Sequence, residues 1–323
     1  MLDSVTVTAN ARLHLGFLDL NGELGRRYGS LGLAVDRPVT RLTLRRSHIP
    51  FAQGPQAERA AGHLTRVAPA LGLKAAYSVI IEEAIPSHAG LGSGTQLALA
   101  TAAALRRLEG LPQDVSHDAR LLRRGARSGI GLGIFERGGL IVDGGHGAAA
   151  RLPPIITRME FPAQWRIILV LDPNAEGVHG SEEQLAFASL PAFPANLAGE
   201  ICRLVLMKAL PALAEHDIGS FGDAVARLQE IIGTYFAPAQ GGGAYSSAPV
   251  AALMEELRRN GAKGTGQSSW GPTGFAFAEN AREAQRLSDL VQASAAAAGL
   301  NLMICKGLNH GALIQGEAFA TIK

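Results

Sequence analysis

Three glycines in five residues, Gly90, Gly92 and Gly94, with Ser93 and Thr95 among them, form the stretch of this 323-residue chain best suited to hold an anion. They stand in PSHAGLGSGTQLALA (86–100), between a strand-like AYSVIIEEA and an apolar, alanine-rich run of helical character. Glycine lets the backbone come close to a ligand, and the free N–H groups and dipole of a helix start favour negative charge. The same pattern also suits a tight turn that needs positive φ and nothing more. The Walker form and its lysine are absent, so a phosphate here rests on backbone amides and on the Ser93 and Thr95 hydroxyls.

Other polar, glycine-punctuated stretches could join this cradle. In ARLHLGFLDLNGELGRRYGSLGL, strand periodicity puts Arg12 and His14 on one face, with Asp19, Arg26 and Arg27 in the turn region that follows. Together they offer a carboxylate beside several cations; singly, each suits an ordinary surface position. In GTGQSSWGPTGFAF, residues Ser268, Ser269, Trp270 and Gly271 make a fixed loop of hydroxyls and free amides, or a structural turn. FAPAQGGGAY (236–245) reads as a lid, a second anion nest or a flexible loop. Arg120, Arg123, Arg124 and Arg127 recur at helical spacing in an expected helix over 118–127, as a solvated face or an anion-facing stripe. A further loop holds Asn174, Glu176 and His179. With no GxSxG elbow, no HExxH and no close pair of metal-spaced histidines, hydrolase and zinc readings fall away.

These groups need elements to position them. Alternation predicts strands over 5–17, 31–35 and 39–45, and the spacing predicts a helix over 58–71 ahead of the strand, cradle and helix already described. GLIVDG reads as a short strand and Trp165–Asp172 as a buried one. The second half alternates helices near 196–216, 221–235, 249–260 and 281–298 with β runs at 274–278, 300–305 and 311–315. The expectation is helices packed on one face of a small antiparallel sheet, with a domain change near 155–165, and so domains of 1–158 and 159–323.

Composition narrows the class. The 47% hydrophobic content can supply real cores, and a net charge of +2 argues against a dedicated nucleic-acid binder. Cys202 and Cys305 lie far apart and are expected as a buried, reduced pair, which fits a cytoplasmic protein. No signal-peptide pattern and no bilayer-length apolar run is present.

PSHAGLGSGTQLALA resembles the PxxxGLGSS(A/G) motif of the GHMP superfamily, the galactokinase, homoserine, mevalonate and phosphomevalonate kinases, and GAKGTGQSSWGPTGFAF resembles its C-terminal glycine-rich motif. More narrowly, RLHLGFLDLNGELGRRYGSLGLAV and GQSSWGPT look like the β-ribofuranosylaminobenzene 5′-phosphate synthase branch, which serves methanopterin biosynthesis. The similarity covers nearly the whole chain. It implies a two-domain α+β fold of the GHMP type, an N-terminal domain like the second domain of ribosomal protein S5 and a ferredoxin-like C-terminal domain, with the ligand site between them. Superfamily kinases often carry a lysine in the first strand motif and an aspartate after Ser-Gly-Ile; here stand Arg12, His14 and, after Ser128-Gly129-Ile130, Gly131.

The implied reaction joins phosphoribosyl pyrophosphate to 4-aminobenzoate or 4-hydroxybenzoate, releasing pyrophosphate and carbon dioxide. Such a transition state needs cations for the departing phosphates and negative charge near ribose C1. Arg26, Arg27 and the cradle are the candidates for the first and Asp19 for the second. His14 would have an orienting role or exchange a proton, and Ser268 and Ser269 would bind a phosphate or the carboxylate. Mg²⁺ is the expected companion of the leaving group, with no ATP and a homodimer as further expectations. An ATP-dependent GHMP small-molecule kinase and a non-catalytic phosphometabolite-binding protein are the alternatives.

Overall fold

A computed structural model describes residues 2–148, 152–177 and 189–318. Its first sheet grows from one long hairpin. Alternating β-branched and apolar residues suit a pleated surface, and they carry β1 (Ser4–Asp19) and β2 (Arg26–Ser47) antiparallel past two bulges. The two runs expected at 31–35 and 39–45 are therefore one strand. β2 is long enough to serve two neighbours: β4 (Ala76–Glu83) pairs with its far end and β5 (Leu140–Asp143) with its near end. β3 (Phe51–Gln53) lies parallel to β4, β6 (His146–Gly147) pairs with the hairpin tip, and β7 (Ile155–Met159) pairs with β5.

The helices α1 (Ala57–Ala70) and α2 (Ser93–Leu108) share a core with Val5, Val7, Ala9, Leu42 and Leu44 of the hairpin. Arg106 of α2 donates to the Asp118 carboxylate at 2.8 Å in a buried pair that fixes α3 (Val115–Leu121) against it. The helix expected over 118–127 ends earlier. Arg123 takes a left-handed φ of 55°, and the Arg124 N–H turns back to the Ala119 carbonyl, so the four arginines share no helical face. α4 (Ile130–Arg137) follows.

The second sheet holds β8 (Arg166–Leu171), β9 (Lys263–Gln267), β10 (Gly274–Ala278) and β11 (Asn301–Cys305), all antiparallel, in the order β11-β8-β10-β9. Helices between β8 and β9 and between β10 and β11 complete the ferredoxin-like order. The expectation of helices on one face gives way. Ile168, Val170, Ala276 and Ala278 share a core with the helices Ala248–Arg259 and Ala281–Ala297. Ile167, Leu169, Phe275 and Phe277 instead share one with the helix Ile218–Phe236 and with Leu13, Leu15, Leu31 and Leu33 of the first sheet. Strands apolar on both faces must be covered on both. The helix expected over 196–216 is two pieces, Ala195–Leu204 and Leu210–Ala214, joined by a π turn just before Pro211, whose missing N–H cannot continue the ladder.

The chain passes from the first sheet to the second between Met159 and Arg166, then returns: β12 (Leu313–Glu317) lies antiparallel on β1. Cys305 is buried and Cys202 exposed, both free thiols, so the expectation that both are buried is corrected for Cys202. Among the described residues no helix is long and apolar enough to cross a membrane.

Candidate active site

The two glycine-rich motifs meet backbone to backbone. Gly90 has φ +78°, and a Cβ on it would stand 2.1 Å from the Ser268 carbonyl oxygen; a Cβ on Gly271 would stand 2.2 Å from the Gly90 nitrogen. Only glycine fits either side of this crossing. The Gly90 carbonyl is its knot, accepting from Arg12 Nη1 at 2.6 Å and from Ser268 Oγ at 2.8 Å. Ser268 Oγ in turn accepts the His14 N–H at 3.0 Å, and the Arg12 N–H reaches the Leu91 carbonyl. Ser268 is fully buried with its hydroxyl spent in this way. Its expected ligand contact is therefore corrected to a role in holding β1 against the cradle loop.

Above the crossing opens a cavity of about 370 Å³, lined by Gly90, Gly92, Ser93, Gly94 and Thr95, by Ser269, Trp270 and Gly271, and by Arg12. Gly92, at φ +80°, starts α2; Thr95 and Gln96 already bond back to its carbonyl, so the Ser93 and Gly94 N–H groups stand ahead of the first helical bonds. Three more lining side chains, Arg59, His88 and Arg124, complete the wall. Arg59 comes from the first turn of α1, where Gln56 Oε1 holds its Nη1 at 3.1 Å, and Arg124 comes from the turn after α3. Burial, with Arg59 and Arg66 nearby, pulls the Arg124 guanidinium below its ordinary pKa, and its buried Nε has no hydrogen-bond partner. His63 behind them is held neutral: burial, then Arg124, Arg59 and Arg66, push it down to about 4. No described residue of the lining is an Asp or Glu. Arginines around helix-start amides, with no carboxylate in the described lining, make a site for a multiply charged anion.

Ser269 and Trp270 also wall a second recess, of about 20 Å³, with His14, Phe17, Phe236, Gln229, Gln240 and Gln267. Trp270 packs on Phe236 with centroids 4.3 Å apart, and His14 packs on Phe17 at 4.6 Å. Burial first, then Arg12, push His14 down to about 3, so its ring is neutral. The ring's backbone hydrogen bond runs to its own residue, and Nε2 has no partner.

The structure thus gathers Arg12, His14, Gly90, Gly92, Ser93, Gly94, Thr95, Ser269, Trp270 and Gly271 around two adjoining spaces. It places Asp19, Arg26 and Arg27 elsewhere, at the tip of the β1–β2 hairpin. Asp19 Oδ1 accepts the N–H groups of Asn21 and Gly22, Arg26 donates to the Gly144 and Gly145 carbonyls, and Arg27 pairs with His146 of β6. A tight turn engages Asp19 and loop carbonyls engage Arg26. Arg59, His88 and Gly177, which also lines the cavity, were missed. His88 stands inside the glycine motif itself; Arg59 carries no local signal, since only the packing of α1 on α2 brings it near Gly94. His179 lies outside the described residues.

Among the described residues no group of three or more His, Cys, Asp and Glu side chains could hold a metal ion. For the expected Mg²⁺ the described lining of the cradle offers the Ser93 and Thr95 hydroxyls and no carboxylate.

A glycine loop at a helix start, closed by a second glycine loop from a ferredoxin-like domain, defines the GHMP architecture. The chain matches the family models GHMP kinases N terminal domain over residues 57–138 and GHMP kinases C terminal over residues 209–296. It resembles a homoserine kinase from Cytophaga hutchinsonii with a TM-score of 0.68 at 16% identity, and a mevalonate diphosphate decarboxylase from Staphylococcus aureus with 0.67 at 15%, each over 98% of both chains. Those likenesses establish the fold. It is 35% identical to a β-ribofuranosylphenol 5′-phosphate synthase of Archaeoglobus fulgidus over 68% of this chain and 74% of that protein. It is 30% identical to the protein of the same name from Methanothermobacter thermautotrophicus, over 86% and 90%. The chain belongs to the GHMP superfamily and, within it, to this synthase family.

Proposed function

We propose that the protein condenses phosphoribosyl pyrophosphate with 4-hydroxybenzoate, losing pyrophosphate and carbon dioxide, to give a β-ribofuranosylphenol 5′-phosphate for methanopterin biosynthesis. The cradle carries the reading: its described lining brings Arg12, Arg59 and Arg124 to the start of α2 with no carboxylate among them, as a diphosphate leaving group requires. The phenol in the relatives' names supports the hydroxy acid over 4-aminobenzoate. Gly131 speaks against phosphoryl transfer. A Cβ there would lie 3.0 Å from Thr95 Cγ2, so the position where superfamily kinases often place an aspartate adjoins the cradle and offers no side chain.

In this reaction the ring carbon bearing the carboxylate supplies the electron pair of the new bond to ribose C1. The C1–O bond breaks with its pair on the diphosphate, where the arginines and the Ser93 and Gly94 amides meet the growing charge. Loss of carbon dioxide then returns an electron pair to the ring. A cytoplasmic homodimer belongs to the same proposal.

Protein given phosphoribosyl pyrophosphate and carboxyl-labelled 4-hydroxybenzoate should release labelled carbon dioxide without ATP. No release from either the hydroxy or the amino acid overturns the reading. ATP-dependent phosphorylation, with thermal stabilisation by nucleotide, would establish the kinase; binding without turnover would leave a phosphometabolite-binding protein.

A further inference from the structure

The recess beside the cradle contains a polar atom that the fold leaves unsatisfied. His14 is 3% exposed, its Nε2 has no hydrogen-bond partner, and it shares the recess with Phe17, Phe236 and Trp270. A buried polar atom without a partner costs stability, and such atoms mark places where a ligand completes the bonding. In a neutral imidazole with its proton on Nδ1, Nε2 offers a lone pair. In that tautomer it accepts a hydrogen.

We propose that this recess seats the aromatic ring of the acceptor, with the para hydroxyl donating its hydrogen to His14 Nε2. The assignment rests on the synthase reading. Rings of Phe17, Phe236 and Trp270 suit a flat aromatic guest, and Ser269 and Trp270 line both the recess and the phosphate cavity, so the two spaces adjoin and the substrates meet where they join. At about 20 Å³ the recess holds little more than a water, and the guest enters by displacing Gln240. That side chain is lightly held, by a 3.4 Å contact from Gln267 Nε2 and a 3.1 Å bond to the Gly243 carbonyl. The glycines beside it, Gly241 and Gly242, have nothing within 4 Å of where a Cβ would stand.

The hydrogen bond also assigns a proton path. As the ring carbon bonds to ribose C1, the para oxygen's O–H pair becomes its C=O bond and the proton passes to Nε2. When the carbon dioxide leaves, the ring recovers its pair and the oxygen takes the proton back. A para-hydroxyl on a cationic ring is a far stronger acid than a phenol, so a weakly basic imidazole suffices.

The test compares 4-hydroxybenzoate with 4-methoxybenzoate, which has no hydrogen to donate. Binding is measured by calorimetry in the presence of inorganic diphosphate. Wild-type protein should prefer the hydroxy acid by roughly tenfold, the worth of one hydrogen bond to a buried acceptor. His14→Ala should bring the two affinities together, and His14→Gln, which keeps an acceptor oxygen, should restore part of the preference. Equal affinities in the wild type overturn the assignment whether or not the variants fold, as does a preference that survives His14→Ala or a failure to bind either acid. Labelled carbon dioxide release by the same wild-type preparation separates the two levels. Release without discrimination removes the His14 assignment alone, whereas no release removes the synthase reading beneath it.

Discussion

Arg124 is held where electrostatics alone would not put it. Its Nε is buried without a partner, Arg59 and Arg66 stand near, and no described acidic residue lines the cavity it faces. Partly desolvated like charges cost stability, and function is the usual reason to retain them. Arg124→Gln should therefore raise the KM for phosphoribosyl pyrophosphate by about tenfold or more, the share of one charge-assisted phosphate contact, while the melting temperature holds or rises. Steady-state kinetics beside thermal unfolding checks both halves. A lowered melting temperature with an unchanged KM would make Arg124 structural. The residue was visible in the sequence as one of four arginines at helical spacing, but the spacing misled. What aims Arg124 at the cradle is the left-handed turn at Arg123, and a non-glycine residue gives no sequence signal for that turn.

At the scale of elements, the strand–loop–helix order around residues 76–108 was legible because apolar period and glycine spacing agree there. The hairpin tip was not. Asp19, Arg26 and Arg27 look chemically equipped, yet turn amides and loop carbonyls occupy Asp19 and Arg26, partners that are set by pairing and not by local sequence. The loop crossing yields a sharp contrast between glycines. Gly90→Ala drives a methyl onto the Ser268 carbonyl and strains a positive φ, so it should lose several kcal/mol, about the cost of an overpacked, strained site. Gly62→Ala, in the exposed middle of α1 with nothing within 4 Å, should gain about 0.5–1 kcal/mol. Urea denaturation of the two variants measures the difference. Similar stabilities would mean that the loops do not meet as described.

For the whole molecule, the two-sheet α+β plan and the ferredoxin-like order were readable from the motifs. The shared core and the return of β12 to β1 were not, because contacts between sheets and long-range pairing leave no local trace. One consequence concerns acid stability. His14 and His63 sit neutral in different parts of the structure, pushed from 6.5 to about 3 and about 4. Unfolded, each takes up a proton near pH 6.5 that the fold refuses until much lower pH, so stability is full above about pH 6.5 and falls through the window from 6.5 towards 4. His63→Gln should flatten that fall by on the order of 2 kcal/mol, read from denaturation midpoints at pH 7 and pH 4.5. An unchanged slope would mean His63 titrates normally.

The meeting of Gly90 with Ser268 and Gly271 joins positions 178 residues apart, as the bond between Ser268 and the Gly90 carbonyl records. A ribosome adding about 5–20 residues per second reaches the second loop on the order of ten seconds or more after it has made the first. Until then the arginines and helix-start amides of the emerging chain have no Ser269–Gly271 wall opposite them. The growing polypeptide is thus an incomplete anion trap, and substrate capture waits for the second loop.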